Sequence, residues 1–396
     1  MRSRFIKNTA LVFMFILGLI NRFIPKKKHR ILLFTNNRNY NDNNKALLKQ
    51  LSELELNKTY QIIFCSSDYK TKKTIEQITY APVYYAPFLF LTSKYCFYDA
   101  GTLKIKPSKQ QKVIALGHGI PLKKIGLQVG EQSSFLDRYN DFTRIIVPHI
   151  NLKKIFIEAF GCTKEQILIN GYPKNDFLFK KNPTIWTKLN IEYNKFTKTL
   201  IWMPTFRDSL NGRYQDGGNE NYIYDIPLIY HDSDFLTLNN YLALHNILLV
   251  IKPHPYSTLN QTLPTHIDLS HIIFITNHQI NKLNIINYSF VGLFDGLITD
   301  YSSVIFDYLL TDNPIAFTND DIESYSDNRG LNFPELKNNL PGPEISSLSD
   351  FQNFINNFAA DIDLFTQERK SVSAQFHTES TGQATTMLLQ KIGIIK

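Results

Sequence analysis

Short apolar runs alternate with helical stretches along this chain, and this alternation restricts the possible folds more than any other feature. "RILLFTN" and "YQIIFCSS" predict buried parallel strands, and "KALLKQLSELEL" between them has the leucine spacing of a helix. "KVIALGHG", "RIIVPH" and "NLKKIFIEAFG" continue the series, the last as a helix that ends at Gly161. A second series runs from "KTLIWMPTFRD" through "HNILLVIKPHP" and "FDGLITDYSSVIFDYLL" to "NPIAFTND". The sequence therefore predicts an α/β protein with two successive βα-alternating domains.

The chain is long enough for two hydrophobic cores, with 396 residues of which 43% are hydrophobic. We expect a domain over residues 29–185 and another over residues 186–396. The carboxyl ends of their strands should face a central cleft, because ligands bind at those ends in open α/β sheets. Near the end of the chain, Ser349 and Gln352 have the spacing of a capping box before the helical stretch "FQNFINNFAAD".

The net charge of +8 comes from the start of the chain. Residues 1–30 contain eight basic and no acidic residues, which leaves 35 of each sign in the rest of the chain. A protein that follows a phosphate backbone should carry its positive charge on the folded surface. The sequence therefore predicts no nucleic-acid partner.

An uncharged stretch, "TALVFMFILGLI" at residues 9–20, separates two basic clusters within residues 1–28. As a helix it is about 18 Å long, which is shorter than the roughly 30 Å hydrocarbon core of a bilayer. We interpret residues 1–28 as an uncleaved membrane anchor on the cytoplasmic side of the cell membrane. The anchor either lies peripherally on anionic lipids or crosses once, with its flanking cations reaching the interfaces. The alternative is a helix packed on the protein itself.

The stretch "LITDYSSVIFDYLL" predicts an anion site. An apolar strand ends at Asp300, and Ser302 and Ser303 open the following helix, whose first N–H groups lack intrahelical partners. The two hydroxyls are candidate phosphate donors, and Asp307 one turn later is a candidate for orienting a serine or binding a ribose hydroxyl. The alternative is that Asp300 and the serines only cap the helix.

Two further strands of the second series end in charged residues. "IKPHP" places Lys252 and His254 after a strand, where Pro253 and Pro255 restrict the backbone. "WMPTFRD" places Thr205 and Arg207 after another, and arginine binds phosphate in a bidentate way, although its neighbouring aspartate also suits a plain ion pair.

In the first series, "LGHGIPLKKIG" puts His118 between two glycines at a strand end. A histidine there is a candidate general base, because it titrates near neutral pH and is not crowded by its own loop. The plainer alternatives are a capped turn or a hydrogen bond to a donor phosphate. Three cysteines lack C-x-x-C spacing, and no histidine or carboxylate cluster has metal-ligand spacing, so we expect neither a metal nor a cofactor.

Taken in order, seven stretches resemble the CDP-glycerol glycerophosphotransferase family, whose members prime and polymerise teichoic acids and related capsule polymers. They are "GHGIPLKKIG", "GYPKND", "PTFRD", "KPHP", "ITDYSSVIFDY", "YSDNRGLNF" and "PGPE". The resemblance implies a GT-B-like fold of two Rossmann-like domains, with the nucleotide held mainly by the second domain and the acceptor approaching from the first. The chain departs from the family at Gly117, where tryptophan is usual, and at Ile120, where threonine is common.

The resemblance also implies which residues contact CDP-glycerol: His118, Gly119, Ile120, Pro121, Leu122, Lys174, Thr205, Phe206, Lys252, Pro253, His254, Ser302, Ser303 and Asp307. The implied reaction moves glycerol phosphate from CDP-glycerol to a hydroxyl of a membrane lipid-linked saccharide or polymer acceptor and releases CMP. Lys252, Arg207 and the serine pair would hold the diphosphate, while His254 would assist the leaving phosphate. Two alternatives stay open: the same fold acting on CDP-ribitol or a nucleotide sugar, and a membrane-bound lipid- or polyanion-binding protein without catalysis.

Overall fold

The computed structural model describes two compact units. It covers residues 2–35, 42–67, 78–117, 119–129, 141–205, 222–254, 257, 267, 269–300, 302–318, 330–333 and 339–396, with the backbone alone for 2–8, 100 and 225. The first unit comprises Met1–His118, Ile125–Asp176 and Phe376–Lys396. The second comprises Gly119–Lys124 and Phe177–Gln375.

Each unit is built on one sheet in which every pair of neighbouring strands is parallel. The first sheet has the order β3-β2-β1-β4-β5-β6-β7 and the second the order β10-β9-β8-β11-β12-β13. The strands are β1 Lys27–Thr35, β2 Gln61–Cys65, β3 Ile78–Ala81, β4 Ser93–Ala100, β5 Lys112–Ala115, β6 Arg144–Val147, β7 Ile167–Ile169, β8 Lys198–Met203, β9 Ile247–Ile251, β10 Ile272–Phe274, β11 Gly296–Thr299, β12 Ile315–Thr318 and β13 Glu344–Ile345.

Helices follow most of these strands, as the alternation predicts. They are α1 Arg2–Asn21, α2 Asp42–Glu53, α3 Ala86–Thr92, α4 Lys153–Phe160, α5 Thr184–Lys188, α6 Asp232–Leu244, α7 Asn277–Lys282, α8 Asn287–Val291, α9 Val304–Tyr308, α10 Leu348–Ala359, α11 Thr366–Phe376 and α12 Ala384–Lys391. Gly161 ends α4 in the left-handed conformation, at φ +63°, and its N–H donates to Ile157 O, which confirms the predicted helix end.

The cores lie on the sheets, because an all-parallel sheet is buried on both faces. All five residues of β9 are buried, and so are all four of β11 and of β12. The two tryptophans of the chain belong to the second unit: Trp202 on β8 packs against Phe351 of α10, and Trp186 of α5 stacks on Tyr193. The predicted α/β class is therefore confirmed.

The compact units differ from the ranges predicted along the chain. Residues 376–396 belong to the first unit, where the Asp176 carboxylate accepts hydrogen bonds from the N–H groups of Ala384 and Thr385 at the start of α12. Residues 119–124 belong to the second unit. The predicted capping box is wrong: α10 is capped two residues earlier, by Ser347, whose hydroxyl accepts from Asp350 N.

The apolar N-terminal stretch lies within α1, as predicted. One narrow face of this helix packs on the first unit through the buried Leu17 and Asn21. The side-chain amide of Asn21 donates to Lys106 O and to Gln111 Oε1. Side chains on its other faces, among them Val12 and Phe15, are 59% and 66% exposed. Within the described residues, no helix has the length and apolar character needed to cross a membrane.

Candidate functional site

Three of the predicted motifs follow three neighbouring strands of the second sheet. Strand β8 lies between β9 and β11, and the motifs containing Thr205, Lys252 and Asp300 begin directly after these strands. The carboxyl ends of parallel strands meet at one edge of a sheet, so the three motifs meet at that edge. The structure thus brings together in space what the sequence separates by nearly a hundred residues.

Asp300 is hydrogen-bonded to the loop that follows β8. Its carboxylate accepts hydrogen bonds from Thr205 N, 3.0 Å from each oxygen, and from Thr205 Oγ1 at 2.9 Å. Both residues are buried. Asp300, which the sequence predicts as part of a ligand site, therefore stabilises the position of the Thr205 backbone.

Lys252 is buried beside a residue that the sequence did not single out. Its ammonium donates to Asn277 Oδ1 at 2.8 Å, and the amide of Asn277 donates to Pro253 O at 3.2 Å. Asn277 is the first residue of α7, after β10, so a fourth strand contributes to the same edge. His254 follows and is partly exposed.

The two serines precede a short helix. Ser302 is partly exposed and Ser303 is exposed, while α9 begins at Val304 and has five residues. Val304 N donates to Ser302 Oγ at 3.4 Å, a long bond that leaves the hydroxyl able to donate elsewhere. Asp307 is buried and accepts a hydrogen bond from the hydroxyl of Tyr288, at 2.5 Å, which the sequence did not predict.

In the first unit, Asn43 joins the ends of three elements at the carboxyl edge of the sheet. Its amide nitrogen donates to Asp99 Oδ1, at the end of β4, and to Gly117 O, after β5. Its amide oxygen accepts from Lys174 N at 3.0 Å. Gly117 has φ +74°, and a Cβ there would meet the Tyr172 ring at 3.0 Å, so the backbone before His118 is closely confined.

The centre of this network is a buried carboxyl group. Burial raises the pKa of Asp99 to about 7, and hydrogen bonds from Asn44 N and Asn43 only partly oppose that rise. The Lys174 side chain is buried and lies over the Tyr172 ring, 5.5 Å from its centroid. A buried carboxyl near a buried lysine gives this edge an environment that is sensitive to protonation.

The predicted substrate loop at residues 119–122 is held by the second unit's own chain. The Asn332 amide donates to Pro121 O and Lys123 O, and Asn332 N donates to Leu122 O. The side chains of Ile120, Pro121 and Leu122 are buried. Asn332 lies in "YSDNRGLNF", one of the seven family-like stretches, which was the signal for it in the sequence.

Three predicted site residues, His118, Phe206 and Arg207, lie outside the described residues. In the part of the chain that is described, no three histidine, cysteine or carboxylate side chains form a metal-binding group. The three cysteines are buried and free. The structure adds Asn43, Asp99, Asn277 and Tyr288 to the candidate residues. The positions of Asp99 and Asn277 near strand ends were a signal for them in the sequence, whereas Asn43 and Tyr288 lie within helices and had no such signal.

Two all-parallel α/β units, each with polar side chains gathered at the carboxyl edge of its sheet, define a protein of the GT-B-like class. The chain belongs to the CDP-Glycerol:Poly(glycerophosphate) glycerophosphotransferase family, whose model matches residues 16–393. It is thus a member of a family of transferases, and the family expected from the seven stretches is confirmed.

Individual relatives agree with this assignment. A teichoic acid poly(glycerol phosphate) polymerase of Bacillus spizizenii is 28% identical over 363 residues, which cover 86% of this chain and 85% of that protein. A teichoic acid poly(ribitol-phosphate) polymerase of the same species is 26% identical over 336 residues, or 81% of this chain and 50% of that protein. The wall teichoic acid polymerase TagF has a similar fold, with a TM-score of 0.75 at 20% identity, over 99% of this chain and 95% of that one. A histidine-to-asparagine variant of TagF soaked with CDPG has a TM-score of 0.72 at 19% identity, over 99% and 96%.

Proposed function

We propose that this protein transfers glycerol phosphate from CDP-glycerol to a hydroxyl of a lipid-linked saccharide or polymer acceptor and releases CMP. The observation that carries the proposal is the meeting of Thr205, Lys252 and the Ser302–Ser303 pair at one edge of the second sheet. These groups suit a diphosphate, because an ammonium and hydroxyl donors compensate phosphate charge. Membership in the family and the TagF structure soaked with CDPG support CDP-glycerol as the donor.

In the proposed reaction the acceptor oxygen attacks the phosphorus that bears glycerol. The bond from that phosphorus to the oxygen of CMP breaks, and CMP leaves with the electron pair. His118 takes the proton of the acceptor hydroxyl, and His254 stabilises or protonates the leaving phosphate. Such a displacement needs positioning and charge neutralisation more than covalent catalysis. Lys174, Phe206, Arg207 and Asp307, together with residues 119–122, Pro253 and Asp300, are proposed to complete the donor site.

The test measures CMP release from purified full-length protein offered CDP-glycerol, CDP-ribitol and nucleotide sugars with a soluble acceptor analogue. We expect turnover with CDP-glycerol and a loss of about 10²–10⁴ in His118→Ala, with donor affinity changed far less. His29→Ala is the matched control, because His29 is exposed near the start of β1 and so lies at the amino edge of the first sheet. No nucleotide-dependent turnover would favour a non-catalytic lipid- or polyanion-binding protein.

CDP-ribitol is the second candidate donor. The relative from Bacillus spizizenii that is 26% identical is a poly(ribitol-phosphate) polymerase, and its identity is close to that of the glycerol enzyme at 28%. The two donors differ in the length of the polyol and share the diphosphate, so the same phosphate contacts would serve both. CMP release with CDP-ribitol and not with CDP-glycerol would replace the first proposal.

We further propose that α1 binds the cytoplasmic membrane surface peripherally. Its exposed apolar side chains would enter the lipid interface, and the exposed Lys27 and Lys28 would lie near anionic head groups. Phe15→Glu with Leu19→Glu, on one helix face, should abolish co-sedimentation with vesicles that contain phosphatidylglycerol. Leu244→Glu with Leu364→Glu, two exposed leucines of the second unit, is the control. Equal sedimentation of both variants would contradict this proposal.

A further inference from the structure

The first unit contains a basic cavity at the amino edge of its sheet, the edge opposite Gly117. Its volume is about 320 Å³, and its cationic lining residues are Lys109, Lys112, Arg144 and Lys391. Lys112 begins β5 and Arg144 begins the neighbouring strand β6. The lining, which the described part of the chain supplies, includes no aspartate or glutamate.

Among the described residues, no carboxylate forms an ion pair with the cations that line this cavity. Lys112 Nζ donates to Ile392 O at 2.6 Å, Lys391 Nζ to Ile169 O at 2.7 Å, and Arg144 Nη1 to Thr143 O at 2.7 Å. Lys391 Nζ also donates to Asn170 Oδ1 at 3.2 Å, and all four acceptors are neutral oxygens. Each of these cations keeps further N–H donors for another partner, because an ammonium has three and a guanidinium has five.

The cations are also crowded together. Burial lowers the pKa of Lys112, and the nearby charges of Lys94 and Arg144 lower it further. Burial lowers the pKa of Lys391 as well. Like charges held at close range repel each other, and a bound anion would relieve that repulsion. The arginine adds a planar, bidentate donor pair, which suits the oxygens of a phosphate.

We propose that this cavity binds a phosphate-type anion, and specifically the phosphodiester of a glycerol phosphate polymer or of an anionic lipid head group. Its volume is at the lower end of the range of small-molecule sites, enough for a unit of that size. Gln111, which also lines the cavity, accepts the hydrogen bond from Asn21 at the end of α1. The site therefore adjoins the apolar helix, at the amino edge of the first sheet, whereas Thr205, Lys252 and the Ser302–Ser303 pair belong to the second unit.

The test compares binding of the full-length protein to three probes: inorganic phosphate, a soluble glycerol phosphate oligomer, and vesicles of phosphatidylglycerol against vesicles of phosphatidylcholine. The variant is Lys112→Gln with Arg144→Gln, in which glutamine can still donate to Ile392 O. The control is Lys188→Gln with Lys282→Gln, which removes the same charge from exposed positions of the second unit. Melting temperatures verify that both variants fold.

We expect the cavity variant to weaken anion binding about tenfold or more, because hydrogen bonds to a charged group are lost, and the control to stay within about twofold. Weaker binding of the oligomer in the cavity variant, with unchanged binding of phosphatidylglycerol vesicles, would assign the polymer as the source. The reverse would assign the lipid, because vesicle binding through α1 is the same in the cavity variant and in the unmodified protein. Equal weakening in the cavity variant and the control would overturn the proposal, since net charge alone would explain it. Absence of saturable binding to every probe would overturn it too. The cavity lies at the other edge of the sheet from Gly117, so a loss of turnover in His118→Ala tests the proposed function and not this proposal.

Discussion

Removing the Asp300 carboxylate should destabilise the second unit and loosen the loop after β8. In Asp300→Ala two donors of Thr205, its N–H and its hydroxyl, lose their acceptor in a buried place. Hydrogen bonds to a charged group contribute about 1.5–3 kcal/mol each, which sums to about 3–6 kcal/mol. Relief of the desolvation of the buried carboxylate offsets part of this loss. We therefore expect the free energy of unfolding to fall by about 3 kcal/mol.

A double-mutant cycle isolates the contact. Thr205→Val removes only the hydroxyl and should cost about 1.5 kcal/mol. The double variant should cost about 1.5 kcal/mol less than the sum of the single variants, because both of them remove the same bond. Urea unfolding followed by tryptophan fluorescence is a suitable assay, because Trp186 and Trp202 are the only tryptophans of the chain and both lie in the second unit.

The chain offers a matched control at the other end of the same strands. Thr199 donates to the Asp295 carboxylate through both its N–H and its hydroxyl, at 2.9 Å each, before β11 rather than after it. Asp295→Ala should destabilise the unit and leave donor affinity unchanged, whereas Asp300→Ala should destabilise the unit and also weaken donor binding. An unchanged unfolding midpoint in Asp300→Ala together with lost donor binding would refute this reasoning, since the carboxylate would then act on the donor and not on Thr205.

Three further outcomes follow from single contacts. Burial raises the pKa of Asp99 to about 7 from 3.8, so the folded chain keeps a proton that the unfolded chain has released, and stability should fall as pH rises from about 4 to about 7. Asp99→Asn should remove this pH dependence of stability. Urea unfolding midpoints, followed by circular dichroism at about pH 5 and about pH 8, measure the stability of both proteins. An equal pH dependence in the variant and the unmodified protein would contradict the prediction. Gly292→Ala should lower the free energy of unfolding by about 1–3 kcal/mol, because its Cβ would lie 2.6 Å from Leu178 O; a melting temperature equal to that of the unmodified protein would disprove the clash. Lys252→Met should weaken donor binding about tenfold in calorimetry, and unchanged affinity would remove the lysine from the donor site.

Sequence patterns were sufficient to predict the class of fold and to select candidate site residues at strand ends. Buried parallel strands are continuous apolar runs, and the end of such a run is visible in the sequence as the first polar residue, as at Lys252 and Asp300. The helix end at Gly161 could be predicted for the same reason, because a left-handed glycine acts on its own turn. The family could be identified because short stretches of specific residues recur in a specific order.

Which distant residues contact each other could be seen only in the tertiary structure. Asp300 and Thr205 are 95 positions apart and Asn43 and Lys174 are 131 apart, and no local pattern relates the members of such pairs. The order of strands in a sheet is set by the packing of the whole sheet. It could therefore not be predicted from the order along the chain that β8 lies between β9 and β11. Residues 376–396 lie far along the chain and yet belong to the first unit, where the Asp176 carboxylate accepts hydrogen bonds from the start of α12. Periodicity and propensity act over a few residues, whereas hydrogen bonds between buried side chains form wherever the folded chain places a donor beside an acceptor.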